Sequence, residues 1–222
     1  MKIFLDSANL DEIRDCLEKG IISGITTNPS LLSKEPKTAF VQHMKKIVEL
    51  CNEYKKNIPL SVEVITTDPK EMISQAHQLI DDLNYENLNI KIPIGWDELA
   101  VISELSSNGI DVNCTCLHTE AQCQLAANAG AKYVSIFMCR IKDIGADPIP
   151  VIENTRSLLE ISDSNAEIIT GSIRHQRDVF EASLAGGHIV TASYQVIKSM
   201  VSHPQTNLAI EGFMNDFSDW IK

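Results

Sequence analysis

The feature that most constrains this chain is its rhythm: short β-branched and apolar runs alternate with longer amphipathic stretches from one end to the other. The runs are KIFLD, ISGITTN, LSVEVI, LNIKIP, IDVNCTC, AKYVSIFM, AEIITGS and GHIVTA, which makes eight strand candidates. Between them the 3.6-residue periodicity predicts helices over Asn9 to Glu18, Thr38 to Lys55, Pro69 to Leu83, Trp96 to Ser107, Glu120 to Ala129, Pro148 to Ile161 and Gln176 to Ala185. Asp68 before Pro69 reads as an N-cap with proline at the first helical position, and Gly109, Gly130 and Gly186 fall where helices should stop. Alternation of this kind implies parallel strands joined by right-handed crossovers. Eight units in about 200 residues fit a closed single-domain (β/α)8 TIM barrel, with an open doubly wound sheet as the alternative. No G-x-G-x-x-G fingerprint supports a dinucleotide-binding half.

At 222 residues the chain is long enough to enclose a dry site within one domain spanning 1–222. The stretch from about 203 to 222 follows the eighth unit as an extra C-terminal helix. Its Leu208, Ile210, Phe213, Phe217, Trp220 and Ile221 offer an apolar face that packs either on the barrel or on a neighbouring subunit. A net charge of −11 argues against nucleic acid or an anionic membrane as partner, so any bound anion must be held by local groups. The N-terminal apolar run is too short for a signal peptide and no segment reaches the length of a membrane span, which points to a cytoplasmic protein. Six scattered cysteines read as reduced thiols, without a second Cys-x-Cys or Cys-x-x-Cys pair to complete a zinc site beside Cys114 and Cys116. We therefore expect no metal and no cofactor.

A barrel carries its chemistry at the C-terminal ends of its strands. Polar residues there converge: Asp6 on the first strand, Thr26-Thr27-Asn28 on the second, Glu63 on the third and Lys91 on the fourth. Asn113 and Thr115 follow on the fifth, Ser135 with Arg140 just beyond on the sixth, and Ser172 with Arg174 on the seventh. Lys91 is bracketed by Leu88, Ile90, Ile92 and Pro93, where an ammonium is costly to bury without partners. Burial of a lysine can yield a neutral amine able to attack a carbonyl; the competing account is a strand-end lysine snorkelling to solvent. Asp6 and Glu63 could serve as proton shuttles, or merely cap a helix and occupy a surface strand position. Arg140 and Arg174 are two of only five arginines and, with Ser135 and Ser172, offer donor forks to a tetrahedral anion, or ordinary surface pairing with the abundant acids.

FLDSAN, GITTNPSLL, SVEV, IKIP, NCT, the YVSIF…R segment and GSIRH together resemble, in order and spacing, the motifs of the transaldolase family, especially its small microbial branch. The resemblance spans nearly the whole chain, and GITTNPSLL and IKIP are its most specific pieces. It implies a barrel fold and class I chemistry with Lys91 as Schiff-base lysine. It further implies Asp6 as acceptor of the hydroxyl proton during cleavage, and Glu63 with Thr115 as the pair that positions a water. By the same resemblance Asn28 and Asn113 contact the dihydroxyacetone unit, while Ser135, Arg140, Ser172 and Arg174 hold the terminal phosphate. Related fructose-6-phosphate aldolases release free dihydroxyacetone. Glu63 and Phe137 replace the glutamine and tyrosine familiar there, and Asn113 is the transaldolase-like choice, so all three imply transfer from fructose 6-phosphate or sedoheptulose 7-phosphate to an aldose phosphate. The resemblance also implies a homo-oligomer, a ring-based decamer built with the C-terminal helix.

The chain departs from the family pattern around the anion pocket and beyond IKIP. YVSIFMCR lacks the usual proline after Ser135 and the small residue before Arg140, NCTCLH carries Cys116 and His118, and IGWDEL follows IKIP without the usual threonine. A sulfonated ketose, 6-deoxy-6-sulfofructose, is thus an alternative donor. Two other classes compete: a metal-dependent aldolase using His118, His175 and His188, and a non-catalytic sugar-phosphate-binding barrel.

Overall fold

The structure, a computed structural model, describes residues 1–54 and 57–220. The helix boundary expected at Lys55, and Ile221 of the C-terminal face, lie outside the described residues. Eight parallel strands close into a barrel in chain order: β1 (Lys2–Asp6), β2 (Gly24–Thr26), β3 (Leu60–Glu63), β4 (Leu88–Pro93), β5 (Val112–Leu117), β6 (Tyr133–Phe137), β7 (Glu167–Ile173) and β8 (Ile189–Ala192), with β1 paired to both β2 and β8. The open-sheet alternative is thereby excluded. Seven predicted helices are present as α1 (Leu10–Glu18), α3 (Phe40–Tyr54), α4 (Pro69–Leu83), α5 (Glu98–Ser107), α6 (Glu120–Asn128), α8 (Pro148–Ile161) and α9 (Gln176–Leu184). Three short helices escape the periodicity because they span only one or two turns: α2 (Pro29–Leu32), α7 (Met138–Asp143) and α10 (Tyr194–Ser199). The chain ends in α11 (Pro204–Phe217) and a 3-10 turn (Ser218–Trp220).

Local chemistry sets the helix ends. Asn9, Asp68, Thr119 and Asp147 accept backbone N–H groups at the starts of α1, α4, α6 and α8. Gly109, Gly130 and Gly186 follow helix ends at φ of +78°, +96° and +96°, a region that an L side chain rarely adopts. Because Asn9 performs the capping before α1, Asp6 is released from the capping role weighed for it and remains on the strand.

Two cores result. The larger fills the shell between strands and helices, with Ile25, Ile47, Leu60, Met72, Ile90, Ile102 and Val134 among its members. The smaller plugs the barrel lumen: Phe4, Tyr133, Ile169 and Ile189, with the Phe4 and Tyr133 rings edge to face at 6.3 Å. Gly24 makes room for this plug, since a Cβ there would stand 2.6 Å from the Phe4 ring.

α11 buries no residue. Leu208, Ile210, Phe213, Met214, Phe217 and Trp220 are all exposed, and Phe217 stacks on Trp220 at 6.2 Å rather than on the barrel. No helix among the described residues is long and apolar enough to cross a membrane.

Candidate active site

Strand register carries the polar residues to one end of the lumen. Asp6 lies beside Thr26, Glu63 beside Lys91, and Lys91 beside Asn113. A cavity of about 560 Å3 opens there, lined by Asp6, Thr26, Asn28, Glu63, Lys91, Asn113, Thr115, Ser135, Phe137, Arg140, Ser172 and Thr191, among others.

Lys91 does not snorkel: it is 5% exposed. Its Nζ stands 2.9 Å from Glu63 Oε2 and donates to the Thr27 carbonyl at 2.9 Å. Breaking a buried pair of this kind leaves an uncompensated charge, so the two side chains hold each other in the lumen. Glu63 is correspondingly no surface residue, with its side chain 17% exposed. Asn113 is clamped from both sides, its Nδ2 donating to Ser61 Oγ at 3.1 Å and its Oδ1 accepting from Ser135 Oγ at 2.6 Å. The buried Thr115 hydroxyl has no nitrogen or oxygen partner among the described residues. Such a group is costly in a dry core and useful beside a substrate or water.

Asp6 faces Lys91 across the lumen. Its Oδ1 accepts from Thr26 Oγ1 at 2.8 Å, and Thr26 Oγ1 lies 2.5 Å from Thr191 Oγ1. Burial pushes the Asp6 carboxyl above its usual range against the pull of Lys91 and of the Thr26 hydrogen bond. Asn28 caps α2, accepting from the Leu31 N–H at 3.0 Å, and Pro29 sets the first helical residue. This short helix is therefore a consequence of the Asn-Pro pair, and it seats Asn28 at the rim.

The opposite wall is built by β5 to β7. Register shifts interrupt β5 between Cys114 and Leu117, and β7 between Thr170 and Ile173, with Cys116 and Ser172 at φ of +64° and +58°. Irregularities of this kind re-aim side chains at barrel rims. Here they accompany Ser172 and Cys116 lining the cavity. His118, Phe137 and Arg140 form a stack: the His118 and Phe137 rings are edge to face at 5.9 Å, and the Arg140 guanidinium lies 5.9 Å from the Phe137 centroid. Arg140 projects from α7, forms no ion pair among the described residues, and is exposed to the cavity.

Arg174 departs from the sequence-based expectation. It does not line the cavity: its Nη1 and Nη2 grip Asp143 Oδ1 and Oδ2 at 2.6 and 2.5 Å on the exposed surface. The physical reason lies in the turn behind it. Asp178 Oδ2 accepts the N–H groups of Arg174 and His175 at 3.1 and 2.9 Å, while its Oδ1 accepts from Lys142 Nζ at 2.7 Å. Burial works against the Asp178 carboxylate, but Lys142 and these backbone donors outweigh it and bring its pKa down to about 2. The turn is thus locked, and the Arg174 side chain meets Asp143 outside the mouth.

Two polar residues of the site were not singled out by their sequence context. Ser61 orients Asn113, and Thr191 places a hydroxyl from β8, the one strand to which no candidate had been assigned. A β-branched threonine inside IVTA looks like any strand residue, and only closure of the barrel brings it beside Thr26.

The three histidines do not meet. His118 lines the cavity with its Nδ1 on the Cys116 carbonyl at 2.8 Å, His175 precedes α9, and His188 lies before β8 at the opposite rim beside Arg156. Among the described residues, no three His, Cys, Asp or Glu side chains are grouped so that they could hold a metal ion. All six cysteines are free; burial pushes the Cys16 thiol up to about 11 and those of Cys51 and Cys123 up to about 12.

The chain is similar to known proteins over nearly its whole length. A probable transaldolase of Thermoanaerobacter sp. (strain X514) is 42% identical over 217 residues, covering 98% of this chain and 97% of that protein. A probable transaldolase of Clostridium acetobutylicum is 39% identical over 219 residues, covering 99% and 98%. Among solved structures, thiamine phosphate pyrophosphorylase from Pyrococcus furiosus superposes with a TM-score of 0.60 at 12% identity, covering 86% of this chain and 85% of its own; that likeness concerns the fold alone. Residues 3–220 match the family described as transaldolase/fructose-6-phosphate aldolase, and the chain is an enzyme of that family.

Proposed function

We propose that the enzyme transfers a dihydroxyacetone unit from a ketose phosphate, fructose 6-phosphate or sedoheptulose 7-phosphate, to an aldose phosphate through a Schiff base on Lys91. The observation that carries this reading is a buried amine 2.9 Å from a carboxylate, inside a lumen whose other carboxylate, Asp6, faces it from across the barrel. Lys91 gives an ammonium proton to Glu63, and the neutral Nζ then adds to the ketose carbonyl carbon. Glu63, with a water held against the Thr115 hydroxyl, moves the protons that turn the carbinolamine into an iminium and water. Asp6 then takes the C4 hydroxyl proton as the C3–C4 bond breaks. C4 leaves as an aldehyde, and the bonding pair flows into the iminium to give an enamine. An acceptor aldehyde reverses these steps: C3 attacks its carbon and Asp6 returns the proton to the new alkoxide. Asn113, fixed by Ser61 and Ser135, and Asn28 at the rim hold the three-carbon unit while it waits. Phe137 forms part of the same wall.

Arg140, Ser135 and Ser172 are the groups placed for the anionic tail. A second reading has one specific observation in its favour: with Arg174 bound to Asp143, Arg140 is the one arginine lining the cavity among the described residues, and a single fork suits a singly charged sulfonate as well as a phosphate. Release of free dihydroxyacetone remains the alternative fate of the enamine. Borohydride added with each of a panel of ketoses bearing phosphate, sulfonate or neither should label Lys91, and glyceraldehyde 3-phosphate should raise turnover of the preferred donor. Absence of labelling with every ketose would refute the Schiff-base reading. Turnover indifferent to the acceptor would instead assign an aldolase.

The exposed apolar face of α11 supports assembly of this cytoplasmic enzyme as a homo-oligomer, with the ring-based decamer as the form expected. A sedimentation mass of one chain would overturn that assignment.

A further inference from the structure

The lumen contains a feature that the transfer chemistry above does not use: a chain of two threonine hydroxyls ending on Asp6. Thr191 Oγ1 and Thr26 Oγ1 are 2.5 Å apart, and Thr26 Oγ1 is 2.8 Å from Asp6 Oδ1. A threonine hydroxyl has one proton to give. When Asp6 is ionised it can only accept, so Thr26 spends its proton on Oδ1 and Thr191 must be the donor in the contact between the hydroxyls. The direction of the chain, Thr191 to Thr26 to Asp6, follows from this inventory. Both threonines are held rigidly, 6% and 3% exposed, on the two strands that flank β1.

We propose that Thr191 is a positioning residue for Asp6: by donating to Thr26 it commits the Thr26 hydroxyl to Oδ1, steadies the charged carboxylate, and leaves Oδ2 as the oxygen that exchanges a proton with the sugar. This inference rests on the transaldolase reading, in which Asp6 is the base. The need for such a device follows from the site. Burial favours the protonated carboxyl, which cannot act as a base. The charged groups that act on Asp6 are Lys91 of β4, Lys34 beyond α2 and Glu63 of β3. The two lysines favour the carboxylate and Glu63 opposes it, with Glu63 itself engaged by Lys91. Hydroxyls in series polarise one another in a low-dielectric lumen, so a Thr26 that accepts from Thr191 is a stronger donor to Asp6 than Thr26 alone. Thr191 also lines the cavity, which places its own hydroxyl beside bound substrate without requiring contact with the reacting carbon.

The test is the pH profile of kcat/KM for Thr191→Val, nearly isosteric but without the donor, and for Thr191→Ser, which restores it. Thr191→Val should lower kcat/KM about tenfold at neutral pH and move the acid limb upward by about half a pH unit or more, whereas Thr191→Ser should return both toward wild type. Thr26→Val should produce the same displacement, and the Thr26→Val/Thr191→Val double variant should be no worse than Thr26→Val alone, because the two act as one unit. If Thr191→Val has a wild-type profile, or Thr191→Ser behaves like Thr191→Val, the proposal is wrong. Should Thr191→Val fail to fold, Thr26→Val against Thr191→Ser decides: a Thr26→Val profile with an unmoved acid limb overturns it. Borohydride labelling of Lys91 distinguishes the two levels of inference. Schiff-base formation does not use Asp6, so Thr191→Val should still be labelled; a wild-type enzyme that is not labelled defeats the transaldolase reading instead.

Discussion

The two ends of the barrel lumen differ by a step of two residues on four strands. Phe4 is followed on the same face by Asp6, Tyr133 by Ser135, Ile169 by Gly171 and Ile189 by Thr191. The lower set forms the apolar plug and the upper set lines the cavity. The side-chain period of a strand is two, so one inward face supplies both layers. The comparison teaches that the plug and the site are one construction. The plug closes the floor to water, and that exclusion strengthens the electrostatics of the polar layer above it while raising the cost of every unpaired group there.

The largest expected effect comes from altering the upper layer alone. Asp6→Asn should reduce transfer by about 10^2 to 10^4-fold, the scale of a lost general base, while leaving the fold intact. Its stability should depend on pH in a defined sense. The Asp6 carboxyl has a raised pKa in the folded state, so the native protein binds its proton more tightly than the unfolded chain does. Wild type therefore forfeits stability as pH rises from near the ordinary aspartate value through the raised one, and Asp6→Asn does not. Urea unfolding at pH 4 and pH 7 should show the variant gaining on wild type at the higher pH; a variant that lost ground on wild type at pH 7 would mean that the carboxylate stabilises the lumen.

Breaking the lower layer should act in the opposite way. Phe4→Ala removes the largest fully buried side chain of the plug and should cost about 3–5 kcal/mol in denaturant unfolding. It removes no group that handles a proton, so the residual folded enzyme should keep the wild-type pH profile. A displaced profile with unchanged stability would show that the floor tunes the site directly.

The smallest effect sharpens the boundary of the upper layer. Arg140→Ala should raise KM for every anionic ketose and leave a neutral ketose unaffected. Arg174→Ala, whose guanidinium is spent on exposed Asp143, should change KM little. Equal losses from the two variants would mean that Arg174 leaves Asp143 and swings into the mouth when substrate binds.

Much of the molecule was legible in the linear chain because barrel and site obey local rules. The eight strand runs, the Asp-Pro and glycine helix signals, and a lysine among apolar neighbours are each written in fewer than a dozen consecutive residues. The failures have equally specific causes. α2 and α7 are too short to show a period. Arg174 was placed with Arg140 because both follow strand ends, but sequence position does not reveal the Asp178 lock that fixes the turn or the Asp143 that draws the side chain outward.

The sequence by itself determined the alternation, hence a parallel α/β fold, and the identity of the polar groups that its strand ends could present, including Lys91, Asp6, Glu63 and Asn113; closure into the barrel came with the tertiary structure. Only the tertiary structure decided which of them face one another. Lys91 meets Glu63 rather than solvent, Asp6 is bracketed by Thr26 and Thr191, and Arg174 is left outside. The physical reason is that strand periodicity fixes which face a side chain occupies, whereas register and closure fix its neighbours across strands. Thr26 and Thr191 are 165 residues apart in the chain and become hydrogen-bond partners only when β8 closes on β1.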